Sequence, residues 1–252
     1  MRRIFHTAGP WLDVIAIAAW GVALLKFWLT GELFLLIHPN YKWLTIVAAI
    51  ALLLVALMKG WFVWRASRSV RIVPPTQHLT LFPPGLSSVV MLIVAIASLL
   101  ITPRAFASQT AIDRGVNEAI TLTRVKPQSF QASAKTEDKS LIDWIRTLQV
   151  YPEPDAYTGQ KARIEGFVVY PQNLPEQYFL ATRFVITCCA ADAYPVSLPV
   201  KLTSGSRNDH KVDSWVSIEG TMITETLAGK RQLTVQAASL KSIPEPKNPY
   251  NY

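Results

Sequence analysis

The chain has 252 residues, half of them hydrophobic and only 17% charged, against roughly a quarter charged in an ordinary soluble domain. Together with eight Trp and a net charge of +8, this excludes a disordered chain, a coiled coil and a simple soluble domain. Residues 1–101 hold eight Lys and Arg against two Asp and Glu, a local +6, and residues 102–252 carry the remaining +2. Positive charge concentrated in the apolar half fits a positive-inside membrane region. A nucleic-acid surface would place it on the soluble half, so no nucleic-acid partner is expected.

Three apolar stretches predict transmembrane helices, at about 11–37, 43–64 and 86–101. The first exceeds the roughly 20 residues that span a bilayer and must tilt or extend past it. The third is short but bounded by Pro83-Pro84-Gly85 and Thr102-Pro103. Trp11, Trp43, Trp61 and Trp64 lie near the proposed ends, as interfacial aromatics do. Arg2 and Arg3 precede the first span, and Arg65, Arg68 and Arg71 follow the second, so both ends are expected to be cytoplasmic. The third span then delivers the C-terminal half to the extracytoplasmic side of a multi-pass plasma-membrane protein. Lys26 lies midway along the first span, between Asp13 and Glu32. Two readings stand for it: an intramembrane partner or pathway residue, or a lysine that snorkels from a tilted helix. Ala105-Phe106-Ala107 has the small-x-small pattern of a signal-peptidase site, so cleavage near Ala107 is an alternative, although its place after two spans favours retention.

Residues 103–135 are polar and read as a linker. A short helix follows, with Thr136 as its cap and Leu141, Ile145 and Leu148 as its apolar stripe, ending at Tyr151-Pro152-Glu153-Pro154. The period then changes to two. Strands are predicted at about 161–170, 178–188, 196–203, 214–223 and 231–240. Ile164-Glu165-Gly166 recurs as Ile218-Glu219-Gly220, and interior glycines mark bends or bulges. The expected fold class is therefore membrane α plus all-β. Three transmembrane helices within residues 1–102 precede a small OB-like β-barrel within 136–252, and a small sandwich is the competing β architecture.

The only cysteines, Cys188 and Cys189, are adjacent in Arg183-Phe184-Val185-Ile186-Thr187-Cys188-Cys189-Ala190-Ala191-Asp192. A disulfide between neighbours is strained, because their Cα atoms lie about 3.8 Å apart. Their thiolates suit a soft metal ion such as zinc, with Asp192 and His210 as the nearby ligand types, provided the strand ends there and frees both side chains from alternation. The plainer alternative is one cysteine packed as a small apolar residue and the other lying under a loop. No phosphate loop, nucleophile elbow or zincin motif is present, so no enzyme is expected.

The stretch from Arg183 through Asp192, continuing to Pro195-Val196, resembles the signature of the YcgQ-like family of bacterial membrane proteins. Leu36-Ile37-His38-Pro39, Pro103 through Arg114-Gly115, and Pro246-Lys247-Asn248-Pro249-Tyr250-Asn251-Tyr252 are similar to further segments of that family. The resemblance implies an accessory subunit of a two-component permease whose partner is a polytopic membrane permease of the YcgR/YraQ type. It marks Arg183, Phe184, Cys188, Cys189 and Asp192 as the motif without assigning the cysteines a role. His38 departs from the Asn usual before that proline.

Overall fold

Alternation of polar and apolar side chains builds most of the C-terminal half. In the computed structural model, which describes residues 2–68, 85–116 and 136–252, the chain divides into two compact units, Met1–Arg104 and Ala105–Tyr252.

In the first unit, α1 (Arg2–Thr30) and α2 (Lys42–Arg68) are long and apolar enough to cross a membrane. α3 (Leu86–Leu100) has 15 residues, about 22 Å at 1.5 Å per residue. The first helix stops at Thr30 and does not run to Ile37, because Gly31 adopts a left-handed φ of 78°. Glu32–Leu35 and Pro39–Tyr41 then form 3₁₀ turns. Small residues bring α1 and α2 close: a Cβ on Gly21 would lie 2.8 Å from the Leu53 side chain and 3.3 Å from the Ala49 carbonyl. Two polar ties complete the unit. Lys59 Nζ lies 2.5 Å from Asp13 Oδ2, and Ser88 Oγ donates to the other oxygen of Asp13. This tie edges a cavity of about 380 Å³ that is otherwise mostly apolar, with Trp20, Leu52 and Met91 in its lining. Lys26 pairs with Glu32 at 3.5 Å and donates to the Leu99 carbonyl at 3.2 Å. Within this unit Lys26 therefore has intramolecular partners from the Glu32–Leu35 turn and α3. Arg71 and Pro83-Pro84 lie outside the described residues.

The second unit begins earlier than the linker reading allows. α4 (Ser108–Asp113) sits on it. The Phe106 ring packs 5.2 Å from Phe184 and 5.7 Å from Tyr250, and the Ser108 N–H donates to Asp213 Oδ1 at 2.6 Å. Residues 105–116 are thus held by side chains that apolar periodicity does not reveal, and residues 117–135 of the proposed linker lie outside the described residues. The backbone on both sides of the bond after Ala107 is hydrogen-bonded within this unit: the Ser108 N–H donates to Asp213, and the Ala107 carbonyl accepts from the Ala111 N–H.

α5 (Leu141–Val150) is capped by Ser140 rather than Thr136, which belongs to a separate 3₁₀ turn. Ser140 Oγ accepts from the Asp143 N–H at 3.3 Å, and the Asp143 carboxylate accepts from the Ser140 N–H at 3.1 Å, a reciprocal box. Leu141, Ile142, Trp144 and Ile145 of this helix enter the core beneath the sheet.

The strands are β1 (Lys161–Val169), β2 (Tyr178–Val185), β3 (Tyr194–Leu202), β4 (Trp215–Leu227), β5 (Lys230–Ile243) and β6 (Tyr250–Asn251). They form one six-stranded sheet in the order β1-β4-β5-β3-β2-β6, and β1 also pairs with β2. All pairs are antiparallel except β3 with β5 and β2 with β6. Ala162, Ile164 and Val168 turn inward with Val216, Ile218 and Met222, on the faces that period-two alternation assigns. The two interior glycines permit close backbone approach. A Cβ on Gly166 would lie 2.8 Å from the Thr182 carbonyl oxygen, and one on Gly220 would lie 2.1 Å from that of Gln236, where β5 bulges at Ala238 opposite Glu219 and Gly220.

Candidate site: a vicinal cysteine loop

The site forms where β2 stops. Val185 is the last β2 residue paired with β3, opposite Tyr194, and the Ile186 N–H still donates to the Asn251 carbonyl at 3.0 Å. Beyond it the chain leaves the sheet, and Cys189 becomes the N-cap of a 3₁₀ turn, Ala190–Asp192. This departure removes the alternation that would aim adjacent side chains at opposite faces. Both thiols are free, with their sulfurs 3.7 Å apart; Cys188 is exposed and Cys189 half-buried.

Asp192 fastens the loop. One carboxylate oxygen accepts from the Thr187 hydroxyl and from the Cys188 N–H at 2.8 Å, and the other accepts from the Cys189 N–H at 3.2 Å. The Asp192 N–H returns to the Cys189 carbonyl at 3.1 Å. Arg114 braces the same turn from α4, donating to the carbonyls of Ala190, at 3.4 Å, and Ala193. Burial works against the Asp192 charge, but the Thr187 hydroxyl, the Cys188 thiol and the two backbone N–H groups outweigh it and hold its carboxyl down at about 2. The same carboxylate, hydrogen-bonded to the Cys188 thiol, pushes that thiol up to about 11, with Cys189 adding to the effect. Cys188 is therefore a protonated, weakly nucleophilic thiol despite its exposure.

This gives a measurable pH consequence. A thiol titrating near 11 instead of 9.0 holds about a hundredth of the thiolate at pH 8, and the greater nucleophilicity of that thiolate recovers about tenfold. In metal-free protein, Asp192→Asn should lower the thiol pKa and speed iodoacetamide alkylation of Cys188 at pH 8 by about tenfold, read by peptide mass mapping. An unchanged rate would show that the carboxylate does not govern the thiol.

Cys188, Cys189 and Asp192 offer two sulfurs and one oxygen that all lie within 4.8 Å of one another. His210 does not join them. Its ring lies 6.1 Å from that of Phe179, near the start of β2, whereas the cysteines follow the strand's end. The six residue-to-residue steps from Phe179 to Val185 span about 20 Å. The other motif residues serve the fold. Phe184 is buried in a stack with Phe167 at 5.8 Å. The Arg183 guanidinium lies 5.2 Å from the Trp215 ring and 3.5 Å from the Asn248 carbonyl, gripping the tail. Burial lowers its pKa, opposed by the Glu165 charge. Thr187 and Arg114 were not legible as site residues. Both fall in segments that resemble the family, Thr187 within the signature stretch and Arg114 in the post-membrane segment, but neither was given a role at the site.

A family model described as the DUF1980 C-terminal domain matches residues 118–252. The chain belongs to this family. The match supports the YcgQ-like resemblance at the level of family, and the DUF1980 domain contains the whole Cys-Cys-Ala-Ala-Asp loop, β1 through β6 and α5. A search of curated proteins finds no match.

Proposed function

We propose that this DUF1980 protein is a membrane-anchored accessory subunit of a two-component permease, without catalytic activity of its own, partnering a polytopic permease of the YcgR/YraQ type. The observation that carries the membrane part is the unburied apolar surface of the first unit. Val47, Ile50, Leu54, Leu57, Met58 and Phe62 of α2 are all exposed, as are Val90, Met91, Ile93 and Val94 of α3. Helices apolar on their outer faces need lipid or another apolar helix against them. In this reading α3 is a third, short span, the N-terminus is cytoplasmic and the DUF1980 domain is extracytoplasmic, in keeping with the Arg clusters. The domain is read as a closed OB-like barrel. Support comes from β1 pairing with both β2 and β4, and from the parallel β3–β5 contact, which together make the ring β1-β2-β3-β5-β4. The permease partner rests on the family resemblance.

Tagged full-length protein extracted from native membranes in mild detergent should bring down a polytopic permease in stoichiometric amount, identified by mass spectrometry. Recovery of the chain alone would overturn the reading. It would favour the second one, an extracytoplasmic metal- or redox-responsive module acting without a transporter, for which the vicinal cysteine loop speaks.

A further inference from the structure

The cysteine loop has more order than an incidental surface turn requires. Its two sulfurs project to the same side at 3.7 Å. Two thiolates on one tetrahedral zinc, each about 2.3 Å from the ion, are separated by about 3.8 Å. The third donor, Asp192, is oriented in advance by the Thr187 hydroxyl and the two cysteine N–H groups. Such outer hydrogen bonds on a ligating carboxylate are a usual feature of metal sites. Among the described residues no cation forms an ion pair with Asp192. Each carboxylate oxygen also has more than one acceptor direction, so the hydrogen bonds in place leave capacity for an ion.

We propose that Cys188 Sγ, Cys189 Sγ and the Asp192 carboxylate form a three-donor site for a thiophilic divalent ion of the zinc class, with the fourth position open to solvent or to a donor from a partner. Binding exchanges the two thiol protons for one divalent ion, giving a bis-thiolate complex and two protons released to water. No oxidant is required, since both cysteines are reduced and remain so. Two thiolates and one carboxylate favour zinc-class ions over magnesium or calcium, which take all-oxygen shells. An open fourth position distinguishes this site from a structural zinc site, whose four protein ligands close around the ion to hold a fold together. His210 has no part in it. The proposal does not depend on the permease reading: loss of the metal site would leave the partner question untouched, and a lone chain could still hold the ion.

The test uses full-length protein in detergent, reduced and stripped with chelator, with zinc chloride as the probe in competition against a metallochromic dye. The parent should bind one zinc per chain more tightly than the Cys188→Ser/Cys189→Ser double variant by about 100-fold, and Asp192→Asn should weaken binding by about tenfold. His210→Ala should bind as the parent does. Cobalt chloride gives a second readout that needs no variant: a thiolate-to-cobalt charge-transfer band should develop with one equivalent and vanish on adding zinc. Circular dichroism checks that the serine variants fold, as expected for near-isosteric changes at a surface loop. Equal zinc binding by parent and double variant, absence of the cobalt band, or a loss in His210→Ala as large as in the cysteine variants would each overturn the proposal.

Discussion

Gly220→Val is expected to destabilise the C-terminal unit by about 3 kcal/mol, the range of severe overpacking against a backbone that cannot yield. Any Cβ at this position would lie 2.1 Å from the Gln236 carbonyl oxygen and 2.9 Å from its carbonyl carbon. Neither atom is the end of a flexible side chain. The residue also faces the bulge of β5 at Ala238, on a strand whose two edges pair with β1 and β5, so relieving the clash on one side disturbs the register on the other. Urea unfolding of the full chain in detergent, followed by the fluorescence of buried Trp144 and Trp215, should show a lower midpoint. A variant as stable as the parent would mean that the bulge can migrate along β5, and that Gly220 does not fix the pairing.

The second large effect is expected in the helical unit. Asp13→Ala removes the carboxylate that both Lys59 and Ser88 reach, leaving an ammonium with no partner at the rim of an apolar cavity. A fully buried broken pair costs about 3–5 kcal/mol and a surface pair below about 1. Asp13 and Lys59 have about a third of their side-chain surface exposed, which places the loss near 2 kcal/mol. The double variant Asp13→Ala/Lys59→Met should recover most of it, because two apolar groups leave no orphan charge. Thermal unfolding in detergent, read through Trp20 in the same cavity, measures both. If the double variant is no better than the single, the interaction is not one of paired charges.

Much of this architecture follows from local rules. Five strands and their inward faces are legible because side-chain direction in a strand has a period of two, and the glycines of β1 and β4 mark places where backbones meet. The reading of Thr136 as the cap of α5 is misplaced, although the sequence carries the better signal: Ser140 has Asp143 three residues on, the spacing of a reciprocal box, whereas Thr136 has Lys139 in that place. The end of α1 lay hidden because Phe34, Leu35 and Leu36 continue the apolar run past Gly31, so hydropathy extends where backbone conformation does not. β6 has only two residues, and its strand character comes entirely from pairing with β2. At the cysteine loop, sequence proximity correctly brought Asp192 to the thiols and wrongly admitted His210. Twenty residues of chain carry no distance information when they fold back along a strand.

The aromatic contact of Phe106 with Phe184 and Tyr250 joins the two extremities of the β unit at one corner. Topologically the unit is nearly a ring, its first and last segments already touching. A circular permutant that links Tyr252 to Ala105 through a few glycines and opens the chain at the exposed Ala228–Gly229 turn should therefore keep the same sheet. The order in which the ribosome delivers these strands is then immaterial to the architecture they reach.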